Sequence, residues 1–147
     1  MNKYINYGKL KRVVSNIRES IGDIDNTLIE YDKSHMGMKA IFENSLRMSV
    51  VQLRESIFDA AASLLKSSNI SINNLGGNKE IFDKCLENGY FLNVKKEFFL
   101  ILTKYRNAAF HRYKQPSMAD LLDFIKYYRD DVDLVICELE VILGDRN

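Results

Sequence analysis

Three long stretches of this sequence place apolar residues at alternating steps of four and three, a spacing that only a helix turns into one continuous face. From about Gly8 to Asp32 the series is Leu10, Val14, Ile17, Ile21, Ile24, Leu28 and Tyr31. From about Met36 to Lys66 it runs Phe42, Leu46, Val50, Leu53, Ile57, Ala61 and Leu64. Roughly Ser117 to Leu143 repeats it with Met118, Leu121, Ile125, Tyr128, Val132, Val135, Leu139 and Ile142. One proline and seven glycines in 147 residues leave these runs unbroken. No strand-like alternation of useful length competes with them. The expected fold is all-α: an antiparallel helical bundle of four main helices plus one short helix, forming a single domain over residues 1–147. The links at 33–35 and 111–117 are short, which favours chain reversal over an extended coiled coil.

The middle of the chain is less regular. Ser67 to Gly77, "SSNISINNLGG", is rich in turn formers and is the expected hinge or insertion, the mobile loop of the bundle. A short helix is expected from Asn78 to Glu87, closed by Asn88-Gly89. Asn93 is placed to cap a further helix from about Val94 toward Phe110. Pro116-Ser117 with Asp120 three residues on makes an N-cap for the last helix.

Composition removes several function classes. A formal charge of +1 gives no global attraction to nucleic acid or membrane, so a polyanion must be held by a local patch. No run approaches the ~18 apolar residues of a membrane span, and "MNKYINYGKLKRVV" lacks the apolar centre of a signal peptide. Cys85 and Cys137 are too few and too far apart for a disulfide framework or a zinc site, and read as reduced thiols of a cytoplasmic protein. No metal and no cofactor are implied.

One segment does not fit a plain packing helix. "YRNAAFHRY", Tyr105 to Tyr113, brings Arg106, Asn107, His111, Arg112 and Tyr113 together at the end of an apolar-periodic stretch. Lys95, Lys96, Lys104, Arg106, Arg112 and Lys114 surround it against the single acid Glu97, whereas Asp130, Asp131, Asp133, Glu138 and Glu140 crowd the later half of the final helix. Positive charge is therefore concentrated around the segment, the local footprint a phosphodiester needs. At about 100° per residue, Arg106 and His111 lie roughly 140° apart on a straight helix and cannot face one target. Asn107 and His111 share a face; Arg106 and Tyr113 share another. Either the helix ends near Phe110 and His111 folds back, or two subunits meet so that one histidine and the other subunit's arginine line a common cleft.

Arg106-Asn107-x-x-x-His111 resembles the Arg-x4-6-His motif of HEPN domains, small all-α bundles that carry it before their final long helix. The extension to Tyr113 looks like the Arg-x4-His-x-Tyr form of HEPN toxins that pair with a minimal nucleotidyltransferase antitoxin. The resemblance spans about Asn93 to Leu143; the first two helices match by arrangement only and are long for the shortest members of the toxin branch. It implies metal-independent endoribonuclease activity in a homodimer, acting on tRNA or mRNA as a toxin or antiviral defence effector. The products would be a 2′,3′-cyclic phosphate and a 5′-OH.

The residue chemistry agrees. An imidazole titrating near neutrality suits His111 to take the 2′-OH proton or to protonate the departing 5′-oxygen. Arg106 offers a planar fork to the non-bridging oxygens, and Asn107 can orient the histidine or donate to phosphate. Lys104, Arg112 and Lys114 are the candidate RNA contacts. Tyr113 is, by the resemblance, the position a nucleotidyltransferase would modify.

Plainer roles exist for each. Arg106 can pair with an acid of the last helix, His111 can cap a helix C-terminus, Asn107 can satisfy backbone groups, and Tyr113 can simply pack. His35 reads as a turn residue, Lys95 and Lys96 as first-turn surface, and Met36, Met38 and Met48 as gap-filling core or interface. The second function class is a non-catalytic HEPN-like module that binds a nucleotidyltransferase or another protein; the intact Arg-Asn-x3-His favours the enzyme.

Overall fold

The computed structural model describes residues 5–33, 36–108 and 115–144, with the side chain of Asn74 left aside. Among the described residues the chain is helical with no strand. It forms α1 (Tyr7–Lys33), α2 (Lys39–Ser67), α3 (Asn78–Glu87), α4 (Lys96–Asn107) and α5 (Met118–Gly144), with short 3-10 turns at Met36–Met38 and Ile72–Asn74.

The three apolar seams are where the core sits. Leu10, Ile17 and Ile24 of α1 are fully buried, as are Leu46, Ile57 and Leu64 of α2 and Val135 and Leu139 of α5. α2 is the hub, packing on α1, α3 and α5. Its second half is therefore buried on more than one side, and Ala60, Ala61, Ser56 and Ser63 supply the small side chains this requires. Two ion pairs orient α5 on α1: Arg18 meets Glu140 and Asp25 meets Arg129, so partners descend along α5 as α1 ascends.

Helix boundaries follow local chemistry. Ser117 and Asp120 form the expected reciprocal cap: Asp120 N–H donates to Ser117 Oγ and Ser117 N–H to Asp120 Oδ2, both at 3.1 Å. α3 runs from Asn78 to Glu87 as expected and closes through Gly89, whose φ of +85° is the left-handed conformation glycine adopts without strain. The 67–77 segment is anchored rather than merely a link, with Ile70 and Leu75 packed on the core and Gly76 N–H bonded to Glu80 at 2.7 Å.

The start and end of α4 differ from expectation. Asn93 is exposed and does not cap it; Lys95 is the N-cap residue. The capping carboxylate comes from another helix, Asp131 of α5, whose Oδ1 accepts the Lys95 N–H at 3.0 Å. Sequence spacing points to local caps, and this one lies 36 residues away. α4 ends at Asn107, where the Arg54 guanidinium donates to the Tyr105 carbonyl at 3.1 Å and satisfies an acceptor of the last turn; Phe110 lies outside the described residues. Met36 and Met48, at 89% and 66% exposure, are surface residues rather than core filling.

Candidate functional site

Aromatic packing fixes α4 between its neighbours. Phe99 stacks on Phe82 of α3 with centroids 4.3 Å apart, and Phe98 stacks on Phe124 of α5 at 5.9 Å. The polar end of α4 is thereby delivered to a corner where α2 and the start of α3 also arrive.

Arg106 is held there from three directions. One terminal nitrogen donates to Glu55 Oε1 of α2 at 3.2 Å and the other to Asn78 Oδ1 at 3.1 Å. Its guanidinium carbon lies 4.2 Å from the Phe58 ring centroid, a cation–π contact that flattens the group against α2. The side chain keeps 31% exposure, so these contacts cover it only in part. Glu55 is shared: Oε2 accepts from the buried Arg54 at 2.9 Å while Oε1 takes Arg106. Asn78 is shared as well, accepting from Arg106 and donating to Asn107 Oδ1. Two residues adjacent in sequence, which point about 100° apart on the helix, are thus tied to one amide.

The acid that meets Arg106 sits on α2, not on the last helix as the sequence suggests for an ion pair. Two acids of α5 are committed elsewhere: Asp131 to Lys95, and Glu138 to the Phe91 N–H at 2.6 Å. Lys95 and Lys96 are exposed, with the Lys95 ammonium 3.8 Å from Asp131.

Lys104 is exposed and does not join Arg106. Two positions apart on a helix is about 200°, and Lys104 faces a groove toward α5 instead. His111, Arg112, Tyr113 and Lys114, like His35, lie outside the described residues. What flanks them is defined: Gln115 Nε2 donates to the Ala108 carbonyl at 2.7 Å, tying the end of α4 to the lead-in of α5. Arg47 of α2 donates to the Pro116 carbonyl at 3.4 Å.

Elsewhere, burial pushes the Cys85 thiol up to about 12, aided by the nearby Glu138 charge, which makes it an inert core sulfur. Cys137 is exposed. Among the described residues no group of His, Cys, Asp and Glu side chains is arranged to hold a metal ion, and no helix is long and apolar enough to cross a membrane.

Glu55, Asn78 and Phe58 are invisible to motif reading because they come from other helices. Arg54 did leave a signal: it falls four residues after Val50 and four before Phe58, a charge on an apolar stripe. No family model, curated protein or solved structure matches the chain. The class that fold and site define is an all-helical domain with a polar corner at the end of its fourth helix.

Proposed function

We propose that the chain is a HEPN-type endoribonuclease: an antiparallel four-helix arrangement with one short helix, working as a homodimer in the cytoplasm, as a toxin or antiviral defence effector. The observation that carries this reading is the Arg106–Asn107 pair, fixed by Glu55 and Asn78 with the arginine side chain only partly covered. A preorganised donor of this kind stabilises charge building on phosphorus without reorganising at the moment of reaction. His111 follows Ala108 by three residues, a span of at most about 11 Å, and supplies the proton transfers. A two-fold axis provides a second histidine, so that one acts as base and the other as acid. Lys104, Arg112 and Lys114 contact RNA phosphates, with tRNA or mRNA as substrate and no metal in the step. Tyr113 is the site at which a partner nucleotidyltransferase blocks the cleft by adding a phosphate-bearing group.

The dimer face in this proposal is apolar and exposed. Ile41, Met48 and Val51 of α2 stand at 59%, 66% and 39% exposure in steps of seven and three; Leu100 of α4, 43% exposed, lies apart from them beside α3.

One observation favours the second reading, a non-catalytic helical module that binds a nucleotidyltransferase or another protein: Arg106 is already ion-paired with Glu55. Incubating purified protein with total RNA and tRNA in EDTA, followed by end-group analysis, separates the two. Cleavage leaving cyclic phosphate and 5′-OH ends supports the enzyme; intact RNA supports the module.

A further inference from the structure

Between α4, Pro116 and the start of α5 lies an open cleft of about 350 Å³, at the lower end of the ~300–1,000 Å³ typical of small-ligand sites. Its walls combine three kinds of chemistry. Tyr105, Phe124, Tyr127 and Tyr128 supply aromatic surface, Lys104 an ammonium, and Asp120 and Asp123 carboxylates. Three of the rings support one another, with Phe124 5.7 Å from Tyr105 and 5.8 Å from Tyr128. Tyr127, at 61% exposure, stands apart from the other rings, with the Lys126 ammonium 5.7 Å from its centroid on one face and the opposite face offered for stacking.

The two acids are not equivalent. Asp120 is spent on the Ser117 cap. Asp123 is exposed and makes no hydrogen bond or ion pair among the described residues. An ionised carboxylate only accepts, through two oxygens side by side. Of the four RNA bases, guanine alone presents two adjacent N–H donors on its Watson–Crick edge. Aromatic faces accept any base by stacking, so the carboxylate is what selects. Lys104 completes the set: it repels a second cation but attracts the phosphate every nucleotide carries. The Tyr105 hydroxyl is shifted upward, first by burial and then by Asp120, which agrees with negative charge directed into the cleft.

We infer that this cleft is a guanine-selective nucleotide site, in which a base stacks on Tyr127, pairs its Watson–Crick edge with Asp123 and sets its phosphate toward Lys104. Its link to RNA rests on the ribonuclease reading above; nucleotide binding itself does not. A guanine held there, on a different side of α4 from the Arg106 corner, fixes the register of the strand and so sets a base preference at a constant distance from the cut.

The test is titration of the full-length protein, by calorimetry and NMR, with guanosine, adenosine, cytidine and uridine 5′-monophosphates. Guanosine monophosphate should bind about tenfold or more tightly than the others, the discrimination expected of one bidentate base contact. Asp123→Asn should abolish that difference, and Tyr127→Ala should weaken binding of all four. Both side chains are exposed, so both variants should fold. In parallel, cleavage of a random-sequence RNA should enrich guanine at one fixed distance from the cut, and Asp123→Asn should erase the enrichment. Equal binding of the four nucleotides, no binding, or selectivity that survives Asp123→Asn would overturn the inference. So would tighter binding of N-acetyl-arginine amide than of guanosine monophosphate, which would mark a cation box for a partner protein. Selective binding with uncut RNA defeats the ribonuclease reading and leaves this site standing; cleavage without selective binding does the reverse.

Discussion

Glu55 on α2 and Arg106 at the end of α4 form an ion pair at 3.2 Å across 51 residues of sequence. Because Glu55 also accepts from the buried Arg54, which in turn donates to the Tyr105 carbonyl, one carboxylate braces both the last turn of α4 and its last arginine.

Replacing Glu55 with alanine should therefore do more than remove a surface pair, whose contribution is roughly 0–1 kcal/mol. It leaves the buried Arg54 guanidinium without its acid, and a stranded buried donor costs about 1–3 kcal/mol. The variant should lose stability on that scale in urea denaturation. Glu55→Gln, which keeps an acceptor, should lose less.

Much of this architecture was readable from the sequence, and the misses share one cause. Seams in α1, α2 and α5, the short helix α3 and the Ser117–Asp120 cap depend on neighbours within a turn or two, so spacing reveals them. The cap of α4 and the partners of Arg106 arrive from α5, α2 and α3. Asn93 fits the local rule for a cap, yet Asp131 takes the role because tertiary packing brings a carboxylate to the Lys95 N–H. The candidate site was legible as a pair, Arg106 and Asn107, but not as a corner, since nothing in a motif says which distant side chains hold it.

Asp131 provides a direct check on that override. It is 2% exposed, and its Oδ2 has no hydrogen-bond partner among the described residues, the Lys95 ammonium standing off at 3.8 Å as an ion-pair contact. Asp131→Ala should destabilise the fold by about 0.5–2 kcal/mol, the range for losing a helix cap, whereas Asn93→Ala should be nearly neutral. Comparable losses in both variants would return the capping role to Asn93.

Glu138 should give stability an unusual pH dependence. Burial raises its pKa, and the hydrogen bond from Phe91 only partly opposes the shift. The folded state therefore holds this proton more tightly than the unfolded chain. Its contribution becomes unfavourable as pH rises from the unfolded carboxyl value, about 4.3, through the raised folded value, and stays so above it. Glu138→Gln retains an oxygen for the Phe91 N–H and removes the charge. Its melting temperature should equal or exceed wild type at neutral pH, and the gap should close as pH falls toward about 4. A gap that widens on acidification would reverse the sign of the burial argument.

The exposed stripe on α2 tests assembly. Met48→Asp places a charge in the middle of Ile41, Met48 and Val51 without touching the core. Sedimentation of wild type at micromolar concentration should give a dimer, and the variant a folded monomer with reduced RNA cleavage. A wild-type monomer that cleaves RNA at full rate would remove the composite two-subunit site.

The remaining prediction separates enzyme from module at the residues themselves. Arg106→Ala and His111→Ala should each abolish RNA cleavage while leaving a folded dimer. Losing a proton-transfer group typically lowers rate by ~10²–10⁴, and losing a charge-stabilising donor by roughly 10²–10³. Arg106→Ala also frees Glu55 and uncovers the Phe58 ring, so it should cost some stability, and the comparison belongs well below its melting temperature. Arg106→Lys is the sharper variant. A lysine keeps the charge opposite Glu55 but cannot reach Glu55 and Asn78 with one planar fork while presenting an edge outward. If the corner is catalytic, Arg106→Lys should restore most of the stability and little of the activity. Asn107→Ala should reduce cleavage less than either, because Arg106 retains Glu55 and Phe58 as supports. EDTA should not alter any of these rates. Wild-type cleavage by folded Arg106→Ala and His111→Ala dimers would show the corner to be structural, with Glu55 and Asn78 serving only to close the end of α4.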